Sequence, residues 1–135
     1  MTYLVDANVL CEPTRPAPSP KVLAWLEEHE REIVVDAVVL GEISAGVLGL
    51  SAGRKRERLE AWLESVASLV ECVSWDAAVA RRWGRLVAES RRRGSTLPFL
   101  DSMIAATALH HGFTVATRNV ADFRAAGVAV VDPFA

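Results

Sequence analysis

Short apolar runs, separated by longer stretches with helical spacing, restrict the fold of this chain more than any other feature. The runs cover residues 3–5, 33–35, 72–73, 115–116 and 128–131, and the first two end directly at an aspartate. Brief, uninterrupted apolar runs of this kind are typical of parallel strands that helices bury on both faces. The sequence therefore predicts an α/β fold with a central, mostly parallel sheet of about five strands.

The stretches between these runs contain the caps and breakers of helices. Ser19 followed by Pro20 predicts a helix N-terminus, and Gly94 predicts the end of another helix. Thr96 is expected to cap a helix over residues 98–111. Further helices are predicted over about residues 37–50, 54–70 and 121–126. The helix over residues 54–70 has one apolar stripe, made of Leu59, Trp62, Leu63, Val66 and Leu69.

Length and composition indicate a single domain over residues 1–135 with one core. No leader-like segment opens the chain, and no apolar run approaches the roughly 18 residues of a membrane span. We therefore expect a soluble, cytoplasmic protein without a membrane partner. The two cysteines, Cys11 and Cys72, are too few for a disulfide framework and are expected to be small buried thiols.

Basic residues are concentrated in two segments, although the net charge of 15 − 17 = −2 does not by itself indicate nucleic-acid binding. The segments contain Arg54, Lys55, Arg56 and Arg58, and Arg81, Arg82, Arg85, Arg91, Arg92 and Arg93. Either segment can be a solvated helix face or a phosphate-binding surface. Arg81, Arg85 and Arg92 recur at helical spacing, so they are expected to share one face.

Several polar residues are placed where a parallel sheet binds its ligands, outside the carboxyl ends of the strands. Asp6 ends the first strand, Asp101 opens the helix before the fourth strand, and Thr117 and Asn119 follow the fourth strand. Glu42 lies in an otherwise apolar helix. Together with Asp122, these carboxylate and amide oxygens are the hard ligands that suit Mg²⁺ or Mn²⁺.

Each of these residues also has a simpler explanation. Asp6 can form a turn or a cap, Asp101 can complement the helix dipole, and Asn119 can cap the short helix that follows. Glu42 can lie at an exposed helix edge, and Asp122 can be a solvated first-turn acid. Coincidence at all five positions is much less expected than at any one of them.

Other chemistries fit the sequence poorly. It has no G-x-S-x-G, H-E-x-x-H or C-x-x-C motif and no glycine-rich phosphate loop. His110 and His111 lie at a predicted helix C-terminus, where a structural role is favoured over a catalytic one.

Five motifs and the V-D-P-F ending at residues 131–134 match a known family. The motifs are L-V-D-A-N-V-L at residues 4–10, G-E-I at residues 41–43, D-S-M-I-A-A-T-A at residues 101–108, H-G at residues 111–112 and T-V-A-T-R-N-V-A-D-F at residues 114–123. With these motifs the chain resembles, over nearly its whole length, the PIN-domain ribonucleases of the VapC toxin family, including its FitB-like branch. The resemblance implies an α/β/α sandwich that cleaves RNA with Mg²⁺ or Mn²⁺.

The resemblance also assigns roles to residues. It implies that Asp6, Glu42 and Asp101 are the first three metal-binding and catalytic acids. Family members differ in the fourth acid, which corresponds here to Asn119 or to Asp122. We take Asp122 as the fourth carboxylate and Asn119 as a supporting amide.

Three further residues are expected near these acids. Asn8 and Thr117 are expected to support the site. Arg118 is a candidate for holding a substrate phosphate, and solvent exposure or an internal ion pair fits it equally well. Many relatives have Ser or Thr after the first Asp, but this chain has Ala7 there. A hydroxyl that could support the metal site is therefore not expected at that position.

Partners follow from the resemblance as well. It implies a VapB/FitA-like antitoxin whose C-terminal segment blocks the site, an RNA substrate and a homodimer. An apolar groove for that segment can be made of Trp25, Leu26, Leu59, Trp62 and Leu63, although packing in the core is favoured for each of these residues taken singly. Two alternatives stay open: a PIN-domain partner in a DNA-binding toxin–antitoxin complex with weak or absent nuclease activity, and a nuclease that acts on DNA.

Overall fold

The central sheet has five strands, all parallel, in a computed structural model that describes residues 1–135. The strands are β1 (Tyr3–Val5), β2 (Ile33–Asp36), β3 (Glu71–Val73), β4 (Thr114–Ala116) and β5 (Val130–Val131). Their spatial order is β3-β2-β1-β4-β5. The direction of the connections therefore reverses between β1 and β4, which is where α/β sheets of this kind bind ligands.

Seven α-helices and one 3₁₀ turn connect the strands. They are α1 (Ala7–Leu10), the 3₁₀ turn (Glu12–Thr14), α2 (Pro20–Glu28), α3 (Ala37–Leu48), α4 (Arg54–Leu69), α5 (Ala77–Arg92), α6 (Phe99–His111) and α7 (Val120–Ala125). The connections through α1–α4 and through α5–α7 run in opposite directions across the sheet, so right-handed crossovers place the two groups on opposite faces. The predicted α/β/α sandwich is confirmed.

Side-chain caps fix where several helices begin. The Ser19 hydroxyl accepts a hydrogen bond from the Val22 N–H at 3.4 Å, at the predicted start of α2. Asp6, Asp36 and Asp76 cap α1, α3 and α5 in the same manner. Because β1 and β2 each run directly into a capping aspartate, the same residue ends a strand and starts a helix.

The core lies on both sides of β1, β2 and β4. Leu4, Val35 and Val115 are fully buried in these strands. From the helices, Ile104 and Phe123 are each only 1% exposed. Because β1 and β4 are central, their carboxyl ends are held rigidly by packing on both faces.

Three predictions about local structure were wrong. Thr96 does not cap α6, because that helix starts at Phe99 after Pro98, without a side-chain cap. Leu69 is 84% exposed instead of facing the core, because it is the last residue of α4. Cys72 is exposed, because β3 is an edge strand, and Cys11 is half-buried; both thiols are free.

None of the helices combines the length and the apolar character that crossing a bilayer requires.

Candidate metal centre

Asp6 is the most firmly held of the predicted acids. It follows β1, is 5% exposed, and its Oδ1 accepts a hydrogen bond from the Ala7 N–H at 2.8 Å. Its Oδ2 accepts hydrogen bonds from the Thr117 hydroxyl at 2.7 Å and from the Asn8 amide at 3.2 Å. The backbone also contributes, since the Asp6 N–H donates to the Ala116 carbonyl at 2.9 Å. The carboxylate is therefore fixed by the pairing of β1 with β4.

Thr117 and Asn8 connect the two strand ends. Thr117 is fully buried, and besides donating to Asp6 it accepts a hydrogen bond from the Asn119 N–H at 3.0 Å. The Asn8 Oδ1 accepts from the Arg118 N–H at 3.1 Å. The structure therefore places both predicted supporting residues in direct contact with Asp6 or with the chain that leaves β4.

Asp101 lies in the first turn of α6 and faces the charge of the other acids. Its pKa is raised from 3.8 to about 6, first because burial withdraws the carboxyl from water and then because Asp6, Asp122 and Glu42 add negative charge nearby. A pKa raised by burial and by neighbouring negative charge means that the folded protein disfavours the charged form of the Asp101 carboxyl. Asp101 is thus the residue at which the charges of the predicted acids converge.

Glu42 lies on the exposed side of α3. Partial withdrawal of its carboxyl from water raises its pKa, and the charge of Asp6 raises it further. Cys11 is close enough to both acids for their charges to act on its thiol, although burial is the main reason that its pKa rises to about 11. Glu42 therefore belongs to the same electrostatic group as Asp6 while its side chain stays accessible.

Asp122 and Asn119 were alternatives for the fourth ligand. Asp122 is half-buried in the first turn of α7, and its charge is among those that raise the pKa of Asp101. Asn119 is exposed at the N-cap position of α7, but its side chain makes no capping hydrogen bond. The structure thus places the Asp122 charge near Asp101, and it gives the Asn119 side chain no capping role.

The four carboxylates have no basic partner. None of them takes part in an ion pair with Arg, Lys or His. No three acidic, histidine or cysteine side chains are grouped tightly enough in this arrangement to hold a metal ion. The donor set nevertheless fits Mg²⁺ or Mn²⁺, because every ligand is a hard oxygen and the negative charge is uncompensated. Glu42 is exposed and Asp122 is half-buried, so both carboxylates remain open to solvent.

Arg118 is held beside this group of acids by an aromatic ring. Its guanidinium carbon lies 3.6 Å from the centroid of the Phe134 ring, a cation–π contact, and the residue is exposed. Sequence reasoning considered an ion pair for Arg118, and the structure shows none. Phe134 was missed as a support for this arginine. The only sequence signal for it was the V-D-P-F ending at residues 131–134.

Arg81, Arg85 and Arg92 are all exposed on α5. Arg81 and Arg85 line a surface pocket together with His110, the penultimate residue of α6. Asp101 is in the first turn of α6, so this pocket lies at the opposite end of that helix. Arg92 is the last residue of α5. The three arginines therefore follow α5 along its length.

The predicted apolar groove is only partly present. Leu59 and Trp62 line a groove of about 230 Å³ that Glu42 borders, together with Cys11 and Leu50. Trp25 does not line it, because its ring packs against Tyr3 with centroids 5.0 Å apart and against His29 with centroids 4.6 Å apart. Leu26 and Leu63 also lie outside the lining of this groove. The apolar surface of this groove comes from α3 and α4 and not from α2. It reaches Glu42, one of the predicted acids.

Asp36 is a fully buried acid to which sequence reasoning gave no role. It ends β2 as Asp6 ends β1, its Oδ1 accepts from the Val38 N–H at 2.9 Å, and its Oδ2 has no hydrogen-bond partner. Burial raises the pKa of this carboxyl. The signal in the sequence was the repeat of an apolar run ending in aspartate. We assign Asp36 the structural role of capping α3.

Residues 3–128 of the chain match the PIN domain family. Toxin FitB of Neisseria gonorrhoeae is 36% identical over 135 residues, with 97% of each chain covered. Plasmid stability protein StbB of Pseudomonas syringae pv. tomato is 34% identical over 137 residues, also with 97% of each chain covered. VapC ribonuclease Y4jK of Sinorhizobium fredii is 31% identical and covers 97% of this chain and 96% of its own length.

Solved structures agree with this assignment. FitAcB from Neisseria gonorrhoeae superposes with a TM-score of 0.93 at 35% identity, covering 98% of this chain and 99% of that chain. FitAB bound to an IR36 DNA fragment superposes with a TM-score of 0.93 at 34% identity, covering 99% and 96%. The chain belongs to the PIN-domain family, and the resemblance inferred from its motifs is confirmed.

Proposed function

We propose that residues 1–135 form one PIN domain that acts as a metal-dependent endoribonuclease, the toxin of a toxin–antitoxin pair. The observation that carries this proposal is the uncompensated acidic group: Asp6 fixed at the switch point of the sheet, with the charges of Asp101, Glu42 and Asp122 around it. Relatives named as VapC ribonucleases support the choice of RNA.

The residues that would hold Mg²⁺ or Mn²⁺ are Asp6, Asp101, Glu42 and Asp122. A divalent ion there would supply the positive charge that activates water and stabilises the phosphate in the transition state. The chain's own contribution is positional. Thr117 and Asn8 hold the Asp6 carboxylate in one orientation, and the Asp101 carboxyl must lose its proton to act as a ligand. The pKa of about 6 in the metal-free protein implies that protons compete with the metal ion for Asp101 below that pH, so metal binding should weaken there.

Arg118 is suited to bind an RNA phosphate. Its guanidinium has no acidic partner and is held over Phe134 at the edge of the sheet from which Asp6 projects. The remaining N–H donors of the guanidinium are free for a bidentate contact. Arg81, Arg85 and Arg92 would extend the contact with the RNA backbone along α5 by electrostatic attraction.

The proposed protein partner is a VapB/FitA-like antitoxin, and the proposed assembly contains a homodimer of this chain. Two relatives support the pairing: VapBC-5 from Mycobacterium tuberculosis is a member of the VapBC family of toxin–antitoxin systems, and FitB is named a toxin. The groove beside Leu59 and Trp62 would take an apolar antitoxin segment and, because Glu42 borders it, would lead that segment to the acids.

The test is cleavage of single-stranded RNA by the purified protein with Mg²⁺ or Mn²⁺, and with a chelator. Asp6→Asn and Asp101→Asn should abolish cleavage while staying folded, and Glu30→Gln, an exposed acid on the loop after α2, should retain it. Cleavage that persists in the chelator or in both Asn variants would show that these carboxylates do not carry the activity.

A second function is supported by a specific observation. Some similar structures are bound to DNA, among them FitAB on the IR36 fragment. Under this reading the chain serves mainly as a partner in a DNA-binding complex, with weak or absent nuclease activity. Wild-type protein that fails to cleave any RNA, but tightens the binding of its antitoxin to promoter DNA, would favour it.

A further inference from the structure

A cavity of about 220 Å³ lies between α5 and the beginning of α6 and has no part in the site described above. Trp83 and Phe99 form two of its walls, with ring centroids 6.0 Å apart and an interplanar angle of 74°. Pockets for drug-sized ligands usually measure roughly 300–1,000 Å³. This smaller cavity, with its aromatic walls, suits one flat ring system.

Hydroxyl groups line the interior of this cavity. Ser102 is 3% exposed, accepts a hydrogen bond from the Trp83 indole N–H at 2.9 Å and donates to the Phe99 carbonyl at 2.6 Å, so it fixes both aromatic residues. Ser90 is 5% exposed and lines the same cavity. Its hydroxyl can offer a ligand both a donor and an acceptor.

Positive charge is present at the entrance. Arg91 lines the cavity, is exposed and takes part in no ion pair. An arginine beside an aromatic cavity can bind the phosphate that carries a stacked base. The ligand that this combination fits is therefore a flat heterocycle attached to a phosphate.

The cavity is adjacent to the acidic group. Phe99 and Ser102 lie in the same turn of α6 as Asp101. The aromatic row continues away from that turn, because the Trp75 and Trp83 rings are 6.4 Å apart and the Trp75 indole N–H donates to the Met103 carbonyl at 3.2 Å. Phe99 and Asp101 are two positions apart, so their side chains leave α6 on different sides. A nucleotide chain with a phosphate at Asp101 therefore brings a base to Phe99 by continuing around the N-terminus of α6.

We propose that this cavity binds one unpaired base of the RNA substrate, on the strand that continues from the cleaved phosphate around the N-terminus of α6. The inference rests on the proposed ribonuclease function and adds a base-binding subsite to it. Stacking on Phe99 and Trp83 accepts any base, because every base has an aromatic face. The Ser90 hydroxyl adds a hydrogen bond to the base edge. The subsite therefore requires single-stranded RNA at the cleavage position, since a paired base cannot enter.

The test uses Asp101→Asn protein, which leaves the RNA intact, and short single-stranded RNAs that contain the wild-type cleavage position. Each RNA carries one abasic nucleotide, placed at successive positions, and its Kd is measured by fluorescence anisotropy. Removing the base that enters the cavity should weaken binding between about 5-fold and about 150-fold, the range for loss of one stacked base. Other positions should show smaller effects.

Phe99→Ala, added to Asp101→Asn, identifies the cavity. It should weaken binding of the complete RNA to a similar extent, and the critical abasic nucleotide should then cause no further loss. Leu69→Ala, which also truncates an exposed apolar side chain, should leave the abasic penalty unchanged. Ser90→Ala should give a smaller, few-fold loss, with melting temperatures showing that every variant is folded.

Three results would overturn the inference. The first is that no abasic nucleotide weakens RNA binding. The second is that the critical abasic nucleotide weakens binding equally with and without the Phe99 side chain. The third is a Phe99→Ala protein that no longer dimerises but still loses affinity for the abasic RNA. The last result would assign Phe99 to an interface between copies of this chain. Cleavage by the wild-type protein is measured separately. If the wild-type protein cleaves RNA but no abasic nucleotide weakens binding, the proposed subsite alone is wrong. If RNA is neither bound nor cleaved, both the subsite and the proposed function are wrong.

Discussion

Replacing Asp101 by Asn is expected to stabilise the metal-free protein at neutral pH, although the change removes a proposed ligand. At 1.36 kcal/mol per pH unit, a pKa raised from 3.8 to about 6 corresponds to about 3 kcal/mol of unfavourable interaction with the charged form. Asp101 is only half-buried, so solvent screening reduces this, and we expect about 1–2 kcal/mol. For a chain of this size that is roughly 3–7 °C in Tm.

The sign of the pH dependence follows from the direction of the pKa shift. Between pH 3.8 and about 6 the folded protein keeps the Asp101 proton, which the unfolded chain has released. The contribution of Asp101 to the free energy of unfolding is therefore fully present at low pH and is lost as the pH rises through about 6. The Asn variant does not titrate there. The difference in Tm between variant and wild type should be near zero at pH 4 and reach its full value above pH 6.5.

The assay is thermal unfolding followed by circular dichroism in a chelating buffer from pH 4 to pH 8. Asp76→Asn is the control, because hydrogen bonding from the Val79 N–H lowers the pKa of Asp76, and its replacement should destabilise the protein at neutral pH. An Asp101→Asn protein that melts at the wild-type temperature at pH 7.5 would refute the electrostatic reasoning. Melting below wild type at every pH would instead make Asp101 a structural residue.

Four further predictions concern the metal, the anchor of Asp6 and the two surfaces. Mn²⁺ should bind the wild-type protein in calorimetric titration and raise its Tm, whereas equal binding by Asp101→Asn would exclude a shared site. Thr117→Val should cost about 1–3 kcal/mol of stability and reduce cleavage, because Asp6 loses a buried donor, and Thr117→Ser should restore most of the cleavage. Replacing Arg81, Arg85 and Arg92 by Gln should reduce the slope of log Kd against log salt concentration for RNA by about 0.7 per lost phosphate contact. The control neutralises Arg54, Lys55 and Arg58. An unchanged slope in the first variant, or an equal change in the control, would argue that the α5 arginines do not contact the RNA. Trp62→Ala should weaken the antitoxin complex about 30-fold or more, as expected for a central Trp, while Leu63→Ala, outside the groove, should not.

Much of the fold could be predicted, because strand and helix positions depend on local patterns. The apolar runs before Asp6 and Asp36 and the Ser19–Pro20 cap are all readable within a few residues, and all are observed. The convergence of acids at the carboxyl ends of β1 and β4 also follows from general rules of parallel sheets.

What could not be predicted depends on contacts between residues distant in sequence. The order of the strands decides that Cys72 lies on an exposed edge. The contact between Arg118 and Phe134, and the separation of Trp25 from Trp62, are set by packing. The α5–α6 cavity needs both helices in place before Ser90 and Phe99 line one space. Periodicity alone determines none of these.

Helix α1 has only four residues, far fewer than an isolated helix needs in water. It survives because Asp6 caps it and because the Asn8 side chain joins it to the Arg118 N–H beyond β4. Opening of α1 should therefore release the exit from β4 at the same moment, as one cooperative unit. In hydrogen exchange, the amides of Leu10 and Arg118, over a hundred positions apart, should then share one protection factor. In Asn8→Ala that link is removed and the two exchange rates should separate, so the residues that hold Asp6 behave as one local folding unit built from distant parts of the chain.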